Sequence, residues 1–96
     1  MRVVFSALAD ADLLHILSYL AERNRAAAVA LANLFNTKIE NLTHFPFIGR
    51  GRSIFAQGLR RIVVENYVLF YRVEDARILI VHVLDGRRDI EAEFER

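Results

Sequence analysis

Cysteine is missing from this 96-residue chain, and with it go disulfide scaffolds, thiolate zinc sites and cysteine nucleophiles. Proline occurs once, at position 46, and the four glycines form neither a GxGxxG nor a GxxxxGKS/T spacing, so nucleotide cradling has no support. No apolar run reaches the roughly 18 residues that span a bilayer. The opening Met1-Arg2-Val3-Val4-Phe5 carries neither the long apolar stretch nor the small-residue cleavage site of a signal peptide. A net charge of +1 argues against binding nucleic acid through bulk charge. Repeats and low-complexity stretches are absent. What is present is globular in composition, 54% hydrophobic and 26% charged, which opposes intrinsic disorder. The length admits one domain with one core over residues 1–96, expected to be soluble, cytoplasmic and not attached to a membrane.

The chemistry-bearing residues are sparse. His15, His44 and His82 make no HExxH and no His-x-His pair, so neither a metal site nor a cofactor is expected. His15 and His44 read as surface or helix-end residues. His82, on a strand, reads as either a core-edge residue or a general base near an Arg cluster. The carboxylates of residues 1–49 read as solvated charges on helix faces, with no pair spaced for glycoside chemistry. Ser6, Ser18 and Ser53 lack a nucleophile-elbow context.

The neutral total hides an uneven charge distribution. Residues 1–49 balance four cations against four carboxylates, whereas residues 50–88 carry eight Arg against four carboxylates, a net +4. The tail from Asp89 to Arg96 is net −3. Lys38 is the sole lysine, and Arg suits planar, bidentate recognition of carboxylate or phosphate.

Along the chain, Arg2 to Phe5 reads as a short strand. Ser6 then caps a helix from Ala7 to about Arg23, with Ala9, Leu13, Ile16, Leu17 and Leu20 at helical spacing. Asn24 breaks that helix and caps a second, from about Arg25 to Thr43, whose buried stripe is Ala28, Leu31, Phe35, Ile39 and Leu42. So short a connection lays the two helices antiparallel. Phe45-Pro46 stops the second helix. Residues 46–58 read as an irregular connection with a short strand at Ser53–Phe55. Gly58 to Val64, Tyr67 to Val73 and Arg77 to Leu84 then form an antiparallel meander, with Glu65-Asn66 and Glu74-Asp75-Ala76 as turns. Asp89 to Arg96 reads as a helical turn or a frayed end. The fold class is α+β, β-α-α-β-β-β(-α), with a helical hairpin packed on an antiparallel sheet. The three long strands are apolar on both faces, so either one face of the sheet or the outer side of the helical hairpin awaits a partner, or the 46–58 segment and the tail cover the sheet.

The basic residues are the remaining candidates for function. Arg60 and Arg61 point to opposite faces of their strand. The meander brings Arg72 beside one of them, and Arg87-Arg88 leave the last strand on the side of the Glu65–Asn66 turn. The spacing permits a convergent Arg pocket and equally permits separate Arg–carboxylate surface pairs.

In this order and spacing, several elements carry a likeness. They are Ala9-Asp10-Ala11-Asp12-Leu13, Ile16-Leu17-Ser18-Tyr19-Leu20, Ile39-Glu40-Asn41-Leu42, Phe45-Pro46-Phe47-Ile48-Gly49-Arg50, Gly58-Leu59-Arg60-Arg61, Tyr67-Val68-Leu69-Phe70-Tyr71-Arg72-Val73 and Val83-Leu84-Asp85-Gly86-Arg87-Arg88-Asp89. Over nearly its whole length the chain resembles the ParE branch of the RelE/ParE toxins, the plasmid-stabilisation type of toxin–antitoxin module. The resemblance implies a cytoplasmic toxin neutralised by a ParD-like antitoxin. It implies inhibition of DNA gyrase by binding rather than catalysis, with no sequence-specific nucleic-acid binding. Arg60, Arg61, Arg72, Arg87, Arg88 and Asp89 are its candidates for recognition of target or antitoxin. The rival RelE-like activity is a ribosome-dependent mRNA endonuclease, here using Arg60 or Arg61, Arg72 and His82. Against it, Ile90 stands where the RelE pattern wants a catalytic Arg, and Phe94, which has no phenolic proton, stands where it wants Tyr. Only Arg50 and Arg52 stand in the helix-to-strand loop, where RelE carries paired Lys. Asp85, where many relatives carry His, is a small departure from the family pattern.

Overall fold

Ser6 begins the first helix as its sequence position dictates: its Oγ accepts the Ala9 N–H at 2.9 Å. The structure, a computed structural model, describes residues 1–51 and 57–87. Its elements are β1 (Arg2–Phe5), α1 (Ala7–Arg23), α2 (Arg25–His44), β2 (Arg50–Gly51), β3 (Arg60–Val64), β4 (Tyr67–Glu74) and β5 (Arg77–Asp85). Asn24 ends α1 and caps α2, its Oδ1 accepting the Ala27 N–H at 3.0 Å. One extended residue between helices leaves them no arrangement except side by side and antiparallel. No helix among the described residues is long and apolar enough to cross a membrane.

The sheet runs β1-β5-β4-β3-β2. The meander β3-β4-β5 is antiparallel as expected, closed by the two-residue loops Glu65–Asn66 and Asp75–Ala76. Each loop opens with a residue at positive φ, Glu65 at 55° and Asp75 at 52°. Asp tolerates that region, whereas Glu there costs roughly 1–2 kcal/mol. Two features extend the expected α+β arrangement. β1 pairs parallel with β5, from Arg2 opposite Arg77 to Phe5 opposite Ile80, which makes the sheet mixed. A crossover through the helical hairpin is what permits a parallel neighbour. The short strand of the connecting segment lies at Arg50–Gly51 and pairs with β3; the expected strand at Ser53–Phe55 and the terminal turn from Asp89 lie outside the described residues.

The apolar strands resolve into two clusters, one per face. On the helix face, Leu31, Phe35 and Leu42 of α2 and Ala9 of α1 pack on Val64, Leu69, Tyr71, Ile78, Ile80 and Val83. On the other face Leu59, Val68, Phe70 and Leu84 form a second cluster with Val81 against it. All four are buried. Full burial of each such side chain contributes roughly 1.5–3 kcal/mol relative to exposure.

Candidate functional site

The register decides where each candidate arginine goes. Arg60 stands opposite Tyr71 and Arg61 opposite Phe70, so the two neighbours leave β3 on opposite faces. Arg60 turns to the segment after α2. Its guanidinium donates to the Gly49 carbonyl at 2.9 Å and to the Phe47 carbonyl at 3.3 Å, and it lies 4.9 Å from the centroid of the Phe47 ring. Tyr71 works on the same segment from below, its hydroxyl accepting the Gly49 N–H at 2.8 Å. Burial pushes the Tyr71 phenol above its ordinary value of 10.0, partly offset by that hydrogen bond and the Arg60 charge. Gly49 is required by this close approach: a Cβ there would lie 2.5 Å from the Tyr71 hydroxyl and 2.8 Å from the Arg61 carbonyl. Arg60 and Tyr71 thus clamp residues 47–49 onto the sheet.

What the clamp presents is apolar. Phe45, Phe47 and Ile48 are 63%, 62% and 66% exposed, one of the most exposed groups of large apolar side chains among the described residues. Beside Ile48 opens a cleft of about 340 Å³ between α2 and β3, which Lys38, Arg50 and Arg61 also line. Arg50 pairs directly with Arg61 across β2 and β3, so the two guanidinium groups leave the sheet on the same side. No carboxylate is among the described residues that line this cleft. Lys38, Arg50 and the Phe45–Ile48 segment were not candidates on sequence grounds. The legible signal was three bulky apolar residues around the only proline, in a segment expected to be an irregular connection.

The other arginines do not join them. Arg72, one position beyond Arg60's partner, reaches Glu74 with its Nε 3.3 Å from Oε2, and Arg77 meets the same carboxylate at 3.2 Å. Arg87 sits at the far end of the sheet, where Gly86 N–H bonds the Asn66 carbonyl at 2.7 Å. Its guanidinium holds Asp85 through two bonds of 3.0 and 2.7 Å, and that hydrogen bonding raises the Arg87 pKa above its ordinary range. It lines a second cleft of about 480 Å³ with His15, Tyr19, Tyr67 and Asp85. The described arginines therefore form no single convergent pocket. Arg88 and Asp89 lie outside the described residues.

His82 takes the core-edge alternative. It is 7% exposed, and its Nδ1 contacts Asp12 Oδ2. The same carboxylate oxygen accepts the Val83 N–H at 2.8 Å. This corrects the expectation that the carboxylates of residues 1–49 are solvated: Asp12 faces inward. The cause is a bulge in β5, where Ile80 pairs with Tyr71 and His82 with Phe70, leaving Val81 extra. β1 ends at Phe5, opposite Ile80, so the β5 backbone beyond Ile80 has no strand neighbour on that side, and the N-cap and first turns of α1 supply polar side chains instead. Ser6 Oγ donates to the Val81 carbonyl at 2.7 Å, and Asp12 takes the next groups along. Of the groups named for ribonuclease chemistry, His82 is closed in by Asp12, Arg60 holds the 47–49 segment, Arg72 pairs with Glu74, and Arg61 leaves the face opposite Arg60. Among the described residues no group of three His, Asp or Glu is placed to hold a metal ion.

Comparison with known proteins agrees with this architecture. Residues 3–90 match the family described as the ParE toxin of the type II toxin–antitoxin system, parDE. The chain is 30% identical over 94 residues to Toxin ParE3 of Caulobacter vibrioides, covering 97% of this chain and 94% of that protein. Among solved structures it is similar to a chain of the chromosomal ParDE toxin–antitoxin system from P. aeruginosa, with a TM-score of 0.72. That likeness covers 86% of this chain and 92% of the other at 21% identity, and it supports the fold.

Proposed function

The chain belongs to the ParE toxin family of type II toxin–antitoxin systems, and from that premise we propose that it acts by binding alone: a ParD-like antitoxin holds it inactive, and once free it inhibits DNA gyrase in the cytoplasm. The observation that carries the reading is the family match over residues 3–90. The enclosure of His82 by Asp12 supports it, because the one strand-borne histidine is engaged inside the fold. Residues 1–96 act as a single domain in this reading. Its recognition groups are drawn from Arg60, Arg61, Arg72, Arg87, Arg88 and Asp89. Arg61 and Arg87 are the members proposed for direct contact; what supports the choice is that Arg61 lines the cleft between α2 and β3 and Arg87 the cleft at the far end of the sheet. Arg60 acts as a positioning residue through the 47–49 segment.

The test is purified toxin added to gyrase on relaxed plasmid, with a parallel translation reaction. The expected result is loss of supercoiling or trapped cleavage complexes, relieved by stoichiometric antitoxin, with translated message left intact. Cleavage of message at codon positions, with gyrase unaffected, overturns the proposal in favour of a ribosome-dependent nuclease.

A further inference from the structure

The sheet face turned away from the helices gathers arginine at one corner. Val3 and Phe5 of β1, Val73 of β4, and Ile78 and Ile80 of β5 pack under the helices. Alternation along these strands sends Arg2, Arg72, Glu74 and Arg77 to the opposite face. There Arg2 stands directly across from Arg77, and Arg77 directly across from Glu74. Glu74 is shared, since Arg77 Nη2 donates to its Oε1 at 3.2 Å and Arg72 Nε lies 3.3 Å from its Oε2. That Nε is buried and makes no hydrogen bond. Arg2 is exposed and pairs with no carboxylate among the described residues. Asp75, in the adjoining turn, pairs with none of the three arginines. Three guanidinium groups thus share a corner with one carboxylate that is already engaged twice, and donors are left over.

We propose that this corner binds a phosphodiester group of a nucleic-acid backbone. The guanidinium fork matches phosphate oxygens, and a phosphate brings the acceptors that Arg2 and Arg72 Nε lack. The surroundings select a phosphate over the carboxylate of a protein partner. None of the large exposed apolar side chains of the described residues lies on β1, β4 or β5, so a protein finds no anchor there. Backbone phosphates need no such anchor, and contacts to them carry no sequence information. The net charge of +1 argues against attraction by the whole surface, whereas this corner concentrates its cations locally. The site stands apart from the proposed inhibition of gyrase and is tested without that enzyme.

The experiment is fluorescence anisotropy of labelled duplex DNA titrated with the full chain over a range of salt concentrations. Arg2→Gln, Arg77→Gln and Glu74→Gln are compared with Arg25→Gln, an exposed position on α2 that lowers the charge equally in the other layer. Thermal melts confirm that each variant is folded. Arg2→Gln and Arg77→Gln are each expected to weaken binding at least about threefold and to reduce the salt slope by about one. Arg25→Gln should stay within about 1.5-fold of the wild type, and Glu74→Gln, which frees two guanidinium groups, should bind at least about threefold tighter. A single-stranded RNA of equal length separates the two sources of the group, and salt-dependent binding of either, lost in Arg2→Gln, upholds the corner. A wild type that binds neither overturns the proposal. So does an Arg25→Gln loss equal to that of Arg2→Gln, which assigns binding to bulk charge. Displacement of the DNA by polyglutamate at equal charge concentration also overturns it and assigns the corner to an acidic protein.

Discussion

At the seam between α1 and β5, Ser6 and Asp12 turn inward and take up the Val81 carbonyl, the His82 ring and the Val83 N–H, groups that a bulge and the end of β1 would otherwise leave open. At the edge between α2 and β3, Lys38, Arg50 and Arg61 gather round a cleft without a described carboxylate, beside three exposed apolar side chains. Both regions are built from charged residues next to apolar ones, yet the first turns polar side chains inward and the second leaves Phe45, Phe47 and Ile48 more than half exposed. The difference teaches how to separate stability from recognition in this molecule. Substitutions at the seam are expected to move the melting temperature, and substitutions at the edge to move affinity.

The largest effect should come from Asp12→Ala. It leaves a buried histidine and a buried backbone N–H without their shared acceptor, and loss of one partner from such a pair costs about 3 kcal/mol. For a chain of this length that lowers the melting temperature by more than roughly 10 °C. An unchanged melt would erase the contrast between the two regions. Gly49→Ala comes next, at about 2 kcal/mol, because the added methyl collides with the Tyr71 hydroxyl and the Arg61 carbonyl. It tests whether the clamp under the apolar ridge belongs to the stable part of the molecule, and urea denaturation measures it.

Tyr71→Phe removes the acceptor of the Gly49 N–H, for a loss of about 1–2 kcal/mol. It also has a pH signature. The folded-state pKa of Tyr71 is raised, so the unfolded chain releases the phenolic proton first. The contribution is fully present below about pH 10 and is lost as the pH rises through the folded-state value. Urea midpoints between pH 8.5 and 11 should therefore fall more steeply in the wild type than in Tyr71→Phe.

The smallest change in stability is expected for Arg50→Glu, an exposed position at the edge of the sheet: it should stay within about 0.5 kcal/mol of the wild type by urea denaturation. A loss above about 1 kcal/mol would show that this edge belongs to the stabilised part of the molecule.

Much of the fold was legible because it is written in local rules. Ser6 and Asn24 are caps by their side-chain oxygens, the helical stripes follow from spacing, and Glu65-Asn66 interrupts apolar runs that can only be strands. The candidate site was legible only in part. Arg60 and Arg61 were correctly sent to opposite faces, since alternation along a strand is local. Nothing local indicates that Arg60 ends at the Phe47 and Gly49 carbonyls while Arg61 ends opposite Arg50. Asp12 was misplaced for the same reason: its partners lie some 70 positions away in the chain.

By itself, then, the sequence determined the helical hairpin, the antiparallel meander and an excess of arginine in its second half, because periodicity, capping and composition act over a few residues. Tertiary structure alone decided that β1 joins β5 in parallel, that Asp12 turns inward to a bulge, and that three cations and an apolar ridge share one edge. Those outcomes depend on the register between remote segments, and register is settled by which apolar faces bury together rather than by any residue's neighbours in the chain.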